Sequence, residues 1–400
     1  GGAPLKRAIY IVAARRTPFG TFGGKLKDYT AIQLQEFANR AVFKQAKLSP
    51  DAIDSTIIGN VSQTSTYAIF LARHAALLAG VPIHVPALTV NRLCGSGFQS
   101  IINSGQEIEL GDSNIVLCGG TESMSQAPYT VRNVRFGIKL GMNLKLEDTL
   151  WEGLTDGHVK TSMAMTAENL AKKYNITRQE ADEYALQSQK RWKQANEQGY
   201  FKDEIEPIKI KNKKNQDEIF DIDEHSRPQS TIEQLSKLPS LFIKDIGTVT
   251  AGNASGICDG AAAIIISNED GLKKYNLKPL ARLVAYHISG VEPTIMGIGP
   301  VPAIENLLKK VNKKISDIDL YDINEAFASQ YLACKKVLKL SNEKSNVNGG
   351  AITLGHPLGA SGTRITANLV YELRRCQGKY AIGAACIGGG QGIALLIERV

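Results

Sequence analysis

One punctuation scheme occurs twice along this chain, and that repetition constrains its fold more than any single residue does. Val90-Asn91 leads into the turn Cys94-Gly95-Ser96-Gly97, and Val347-Asn348 leads into His356-Pro357-Leu358-Gly359-Ala360-Ser361-Gly362. Each glycine turn precedes a stretch of helical spacing. A strand-like run ending in glycines then comes next, with Gly119-Gly120 starting 25 residues after Cys94 and Gly388-Gly389-Gly390 starting 27 after Ser361. A chain that repeats its order of elements in this way is read most economically as two duplicated halves with one shared architecture.

Short β-branched runs bounded by Gly, Asn or Pro mark buried strands at 8–14, 57–61, 87–90 and 115–117. A second series occurs at 262–266, 281–286, 320–323, 380–383 and 393–397. Apolar residues at helical spacing occupy 29–45 and 98–110, so strand and helix alternate as an α/β fold requires. From 121 to 249 the pattern turns to helices and charged loops, which sets that stretch apart as an insertion. Within it Thr177-Arg178-Gln179-Glu180 is a capping box, followed by Ala181, Tyr184, Ala185, Ser188, Trp192 and Ala195 on one helical face. The lysine-rich stretch 209–217 reads as a solvated loop.

Composition narrows the function. With 43% hydrophobic and 22% charged residues the chain has material for a core, and its longest apolar runs, such as 261–266, are far too short to cross a bilayer. The net charge of +8 suits anionic, phosphorylated ligands but is too dispersed to indicate a nucleic-acid partner. Six cysteines contain no C-x-x-C pair and no zinc-like spacing with histidine, so a reducing compartment is expected and no metal site is. No Arg- and Ser-rich presequence is legible, and Glu398-Arg399-Val400 is not a peroxisomal tripeptide.

Four positions suit chemistry. Cys94 lies between a strand and a helix, where backbone N–H groups and the helix dipole favour a thiolate; the competing reading is a small buried residue. His356 occupies the corresponding turn of the second half, so the duplication would bring it toward the same crevice as Cys94. A hydrogen-bonded loop histidine is the alternative. Cys386 precedes Gly388-Gly389-Gly390-Gln391-Gly392, whose N–H groups could hold a developing oxyanion. Asn324-Glu325-Ala326-Phe327 comes after a strand, where such sheets place ligand-contacting groups, although either polar residue could instead cap a helix.

In their order, the Cys94 turn, Asn324-Glu325-Ala326-Phe327, Gly355-His356-Pro357 and Cys386-Ile387-Gly388-Gly389-Gly390 make the chain resemble the thiolase family over its full length. Thr121-Glu122-Ser123-Met124-Ser125 and Asn346-Val347-Asn348-Gly349-Gly350 agree as well, and the likeness is strongest to the mitochondrial 3-ketoacyl-CoA thiolases of fatty-acid oxidation. The resemblance implies two βαβαβαββ halves in a five-layered α/β fold. Residues 1–120 with 250–272 would form the N-terminal half, 121–249 an inserted loop domain that binds coenzyme A, and 273–400 the C-terminal half. It implies Cys94 as the acylated nucleophile, His356 as its base and Cys386 as proton donor and acceptor at the substrate's second carbon. Asn324 would hold a water at the enolate oxygen, and the N–H groups of Cys94 and Gly388 would receive the acyl oxygen.

Arg227, Ser230 and Ser255 are implied contacts of coenzyme A, a co-substrate rather than a tightly bound cofactor. The implied activity is thiolysis of 3-ketoacyl-CoA to acetyl-CoA and a shortened acyl-CoA, by a homodimer or homotetramer in the mitochondrial matrix. Two other functions compete: an acetoacetyl-CoA thiolase working as a condensing enzyme, and a non-catalytic acyl-CoA-binding protein. Ser162-Met163 stands where four-carbon specialists of the family carry His-Met, which argues against the first of these.

Overall fold

The computed structural model describes residues 2–400, and among these the strand runs pair into a ten-stranded sheet. Its main strands are β1 (Ile9–Arg16), β2 (Ser55–Gly59), β3 (Ala87–Val90), β4 (Ile115–Ser123), β5 (Cys258–Asn268), β6 (Ala281–Gly290), β7 (Leu320–Ile323), β8 (Tyr380–Ile387) and β9 (Gln391–Arg399). They run in the order β7-β8-β9-β6-β1-β5-β4-β2-β3, with Gly20–Thr21 adding a short strand beside β5. The duplication is plain in this order. In the first half β2 lies parallel to β3 and β4, and β5 runs antiparallel between β4 and β1. In the second, β7 is parallel to β8, and β9 runs antiparallel between β8 and β6. Even an irregularity is copied: β1 shifts register between Ile11 and Ala13, and β6 between Leu283 and Ala285. A two-pair ladder, Tyr10 with Arg282 and Ile11 with Ala281, joins the halves.

Two sequence expectations are corrected by the sheet. The 262–266 run, grouped with the second series by its pattern alone and with residues 1–120 by the family resemblance, is the centre of β5 between β4 and β1, because the chain re-enters the sheet it left once the insertion is complete. The stretch 209–217 is part of a hairpin, Ile208–Lys211 against Asp217–Phe220, rather than a loop. Its period of two buries Ile208 and Ile210 and leaves Lys209 and Lys211 outside beside Asp217.

Six helices cover the sheet and carry its turns, α1 (Ala31–Ala46), α2 (Leu71–Leu78), α3 (Ser96–Leu110), α6 (Pro300–Lys310), α7 (Ala328–Leu338) and α8 (Ser361–Cys376), while α4 (Met163–Lys173) and α5 (Arg178–Glu197) belong to the insertion. Strand alternation divides them into layers. Ile264 and Ile266 of β5 and Ile393, Leu395 and Ile397 of β9 pack on Phe98, Ile101, Ile365 and Leu369 of α3 and α8. On the opposite faces, Ala263 and Ile265 meet Leu34, Ala38 and Val42 of α1, and Ala394 and Leu396 meet Ile304, Leu307 and Tyr331 of α6 and α7. Helix, sheet, helix, sheet, helix is therefore the layer order. The central helices touch at glycines: a Cβ on Gly97 would lie 2.6 Å from the Thr363 nitrogen, and one on Gly362 2.3 Å from that of Phe98. None of the described helices is long and apolar enough to cross a membrane.

The insertion is tied down from within the core. α5 starts at the capping box of Thr177 and Glu180, and its buried face holds Tyr184, Ala185, Ser188 and Trp192. Arg16 of β1 is fully buried and bonds Glu204 (Nε to Oε2, 2.7 Å) and both carboxylate oxygens of Asp223 (2.7 and 3.0 Å).

Candidate active site

The turn between β3 and α3 is sharp because Leu93 has a left-handed backbone, φ 46°. Asn91 Oδ1 accepts the Leu93 N–H at 2.9 Å, while Ser96 Oγ accepts the N–H of Arg92 (2.8 Å) and donates to the Leu93 carbonyl (2.7 Å). Cys94 is thereby presented half-buried at the tip. Its sulfur accepts the Gly388 N–H, but burial outweighs that bond and pushes the thiol up to about 11. The sequence expectation of a helix-stabilised thiolate is corrected accordingly: desolvation favours the neutral thiol, so the group needs a base at the moment of reaction.

His356 occupies the corresponding turn of the second half. Its backbone N–H donates to the Gly256 carbonyl at 2.9 Å, and its Nδ1 lies 2.5 Å from Ser361 Oγ. That hydroxyl is also 3.5 Å from the Pro357 carbonyl, to which it can only donate. The consistent tautomer has Nδ1–H donating to Ser361, which leaves Nε2 unprotonated, with its lone pair accepting from the Asn324 amide. Asn324 Nδ2 stands 3.3 Å from Nε2. Burial, aided by the charge of Arg364, lowers the imidazole to about 3, so it is neutral and able to accept a proton. The Asn324 backbone N–H bonds the Ala384 carbonyl at 2.9 Å, which fixes the amide at the end of β7, and its buried Oδ1 has no protein partner among the described residues.

Cys386, at the end of β8, is buried among Met296, Ala326, Met163 and Phe327. Burial first, and then the neighbouring Cys94 thiol, raise it well above the ordinary thiol value. Met163 also faces Gly388, where a Cβ would lie 3.1 Å from its sulfur, and Ser162 caps α4 by accepting the Met165 N–H at 3.2 Å. Gly389 and Gly390 have φ of 90° and 96° in the turn joining β8 to β9. This glycine run therefore lies beyond the strand, whereas Gly119-Gly120 lie inside β4, paired with Ala263 and Ala262. The two glycine runs matched in the sequence are not structural equivalents.

Ser255 bonds the Ala326 carbonyl through its N–H at 2.9 Å, one residue before the glycine that accepts from His356. The His225 ring packs over Gly256, where a Cβ would fall 2.4 Å from Nε2. That contact brings the 224–231 segment, with exposed Arg227, to the edge of the same turn. Ser230 Oγ donates to the Arg227 carbonyl at 2.7 Å and closes its own turn. Sequence reasoning missed Ser361, although a signal was present: Ser96 and Ser361 open equivalent helices, and each hydroxyl fixes the turn before it. Among the described residues no cluster suited to a metal ion occurs.

The resting state carries an observable consequence. With Cys94 near 11 and His356 near 3, alkylation of Cys94 by iodoacetamide should rise roughly tenfold per pH unit from 7 to 10, following the thiolate fraction. A rate flat across that range would instead indicate a preformed thiolate–imidazolium pair.

Residues 9–270 match the family described as thiolase, N-terminal domain, and 277–399 that described as thiolase, C-terminal domain. Mitochondrial 3-ketoacyl-CoA thiolase of Mus musculus is 64% identical over 395 residues, covering 99% of each chain. The crystal structure of human mitochondrial 3-ketoacyl-CoA thiolase superposes with a TM-score of 0.97 at 62% identity, covering 99% of this chain and 100% of that one. Its complex with CoA gives 0.97 at 61%, covering 100% and 99%. Two halves of one plan, with the Cys94 thiol of the first accepting the Gly388 N–H and neighbouring the Cys386 thiol of the second, agree with these matches, and the chain belongs to the thiolase family.

Proposed function

We propose that the chain is an acyltransferase that cleaves 3-ketoacyl-CoA with CoA, giving acetyl-CoA and an acyl-CoA two carbons shorter, in fatty-acid β-oxidation. The observation that carries this reading is the Cys94 thiol bonded by the Gly388 N–H and neighbouring the buried Cys386 thiol, with His356 and Asn324 paired in the same second half as Cys386. His356 Nε2 takes the Cys94 proton as the sulfur attacks the 3-keto carbon. The bond between the second and third carbons breaks, and Cys386 protonates the enolate to release acetyl-CoA. The Cys386 thiolate then deprotonates incoming CoA, whose sulfur takes the acyl group from Cys94, and His356 returns the proton. The Gly388 and Cys94 N–H groups stabilise the acyl oxygen, and Asn324 acts at the enolate oxygen; donors of this kind contribute about 3 kcal/mol each.

Coenzyme A is bound as co-substrate by Arg227, Ser230 and Ser255, and the chain is divided as 1–120 with 250–272, 121–249 and 273–400. The placement of β5 between β4 and β1 supports that division. The assembly is a homodimer or homotetramer. Edge strand β3 exposes Leu88, and the 136–146 stretch exposes Phe136, Ile138, Leu140, Met142, Leu144 and Leu146 on alternate residues, both of which favour covering by further copies. The mitochondrial matrix is the proposed site of action, on the strength of relatives named as mitochondrial.

The test is CoA-dependent thiolysis of acetoacetyl-CoA against medium- and long-chain 3-ketoacyl-CoAs. Faster turnover of the longer substrates is expected, and activity confined to acetoacetyl-CoA would overturn the assignment. In the same assay Arg227→Ala should raise KM for CoA about tenfold with kcat unchanged, as loss of one charge-assisted phosphate contact predicts.

A further inference from the structure

Strand β4 ends in a carboxylate that the chemistry above does not use. Glu122 is fully buried. Its Oε1 accepts the N–H groups of Val61 (3.0 Å) and Gly359 (2.9 Å), and its Oε2 accepts the Ser62 N–H (3.0 Å) and Asn60 Nδ2 (3.2 Å). Asn60, Val61 and Ser62 come directly after β2 in the first half, whereas Gly359 belongs to the second half and lies three residues beyond His356.

The backbone fits as closely as the carboxylate. A Cβ on Gly120 would fall 1.7 Å from the Gly359 carbonyl oxygen, and one on Gly359 would fall 2.7 Å from that of Thr121 and 2.8 Å from that of Gly59. The turn carrying the imidazole is thus seated on the ends of β2 and β4, with Glu122 as its polar anchor.

The duplication supplies an internal comparison. The offset that carries Ser96 onto Ser361 also carries Glu122 onto Ile387. Ile387 seats the other turn: a Cβ on Gly95, beside Cys94, would meet its Cδ1 at 2.6 Å. Each half's strand end therefore holds the opposite half's turn, one with an apolar side chain and one with a carboxylate. Packing alone is achieved by isoleucine. A buried carboxylate is costly to desolvate, and burial followed by Asp259 of β5 pushes Glu122 up to about 7. What the carboxylate adds is direction, since four converging donors fix where the turn sits.

We propose that Glu122 is the positioning residue of the His356 turn, holding the imidazole of the second half in register with the Cys94 thiol of the first. This rests on the acyl-transfer reading of the site. In Glu122→Gln an amide NH2 replaces one acceptor oxygen and opposes the N–H groups that oxygen received. In Glu122→Asp the shortened carboxylate keeps its charge but is drawn back from the N–H groups of Val61, Ser62 and Gly359 that converge on it.

The experiment measures thiolysis, melting temperature and the NMR resonances of the His356 imidazole for wild type, E122Q and E122D. Both folded variants are expected to lose about ten- to hundredfold in kcat, as misplacement of a catalytic group by an ångström does, while KM for 3-ketoacyl-CoA and CoA stays within about twofold. Turnover within twofold of wild type in folded E122Q, or in folded E122D should E122Q fail to fold, overturns the proposal. So does a loss confined to KM. If wild type itself fails to cleave any 3-ketoacyl-CoA, the acyl-transfer reading falls. The positioning role is then decided by the NMR resonances of the His356 imidazole, which should shift in both folded variants and would overturn the role if unchanged.

Discussion

Cys94→Ala should lower thiolysis by roughly 10⁴- to 10⁶-fold while leaving the melting temperature within a few degrees of wild type, as removal of a covalent nucleophile does elsewhere. The two effects separate because of where the sulfur sits. Cys94 is half-buried at the tip of a turn whose geometry is fixed by Asn91, Ser96 and the Leu93 backbone, none of which the substitution touches. Intact-mass measurement after exposure to 3-ketoacyl-CoA should show an acyl adduct on wild type and none on the variant. An adduct on Cys94→Ala would move the nucleophile elsewhere, and Cys386 would be the first place to look. Cys376→Ala provides the contrast: that thiol is exposed at the end of α8, and turnover should not change.

Arg16→Ala carries the largest expected loss of stability, about 3–5 kcal/mol, because it leaves two buried carboxylates without their cation. Asp223 also accepts the Phe19 N–H at 2.9 Å and Trp192 Nε1–H at 3.2 Å, so the disturbance spreads from β1 into α5. The sign with pH is set by the group most affected. Burial opposes ionisation of Asp223, but the Arg16 charge and bonds prevail and hold the carboxyl below its ordinary value of 3.8. In wild type that contribution is present above this value and is lost as pH falls through the lower folded one. Without Arg16, burial acts unopposed and protonation relieves the unpaired charge. The destabilisation should therefore be greatest at neutral pH and shrink toward pH 4, and thermal unfolding at several pH values reads it directly. A loss independent of pH would mean that Arg16 acts through packing on Phe19 and Phe201, which its guanidinium overlies at 5.0 and 5.6 Å.

Much of this architecture is legible in the sequence because the signals are local. The strand runs, the α5 capping box and the Cys94 turn each occupy a few consecutive residues. What stays hidden depends on distance in space. The return of β5 to the first half cannot be seen from its apolar run, since any buried strand has the same composition. The protonation state of the Cys94 thiol cannot be read from the helix terminus alone, because it is set by burial in the folded chain and by an opposing hydrogen bond from the distant Gly388 N–H. Lysines obscure the 208–220 hairpin, although their alternation with Ile208 and Ile210 is a strand signal in itself. Ser361 can be found by applying the duplication to Ser96, and Glu122 cannot, because its counterpart is an isoleucine.

That last contrast bears on the history of the molecule. A unit present twice in one chain keeps a spare of every position, so one copy can meet the demands of folding while the other drifts. The copied register shift in β1 and β6 records what both copies were held to. Gly59 and Asn324, or Glu122 and Ile387, hold matching positions in the two halves and differ in chemistry. Because the reacting groups are divided between the copies, neither can be lost or revert to a self-sufficient ancestor without loss of the chemistry.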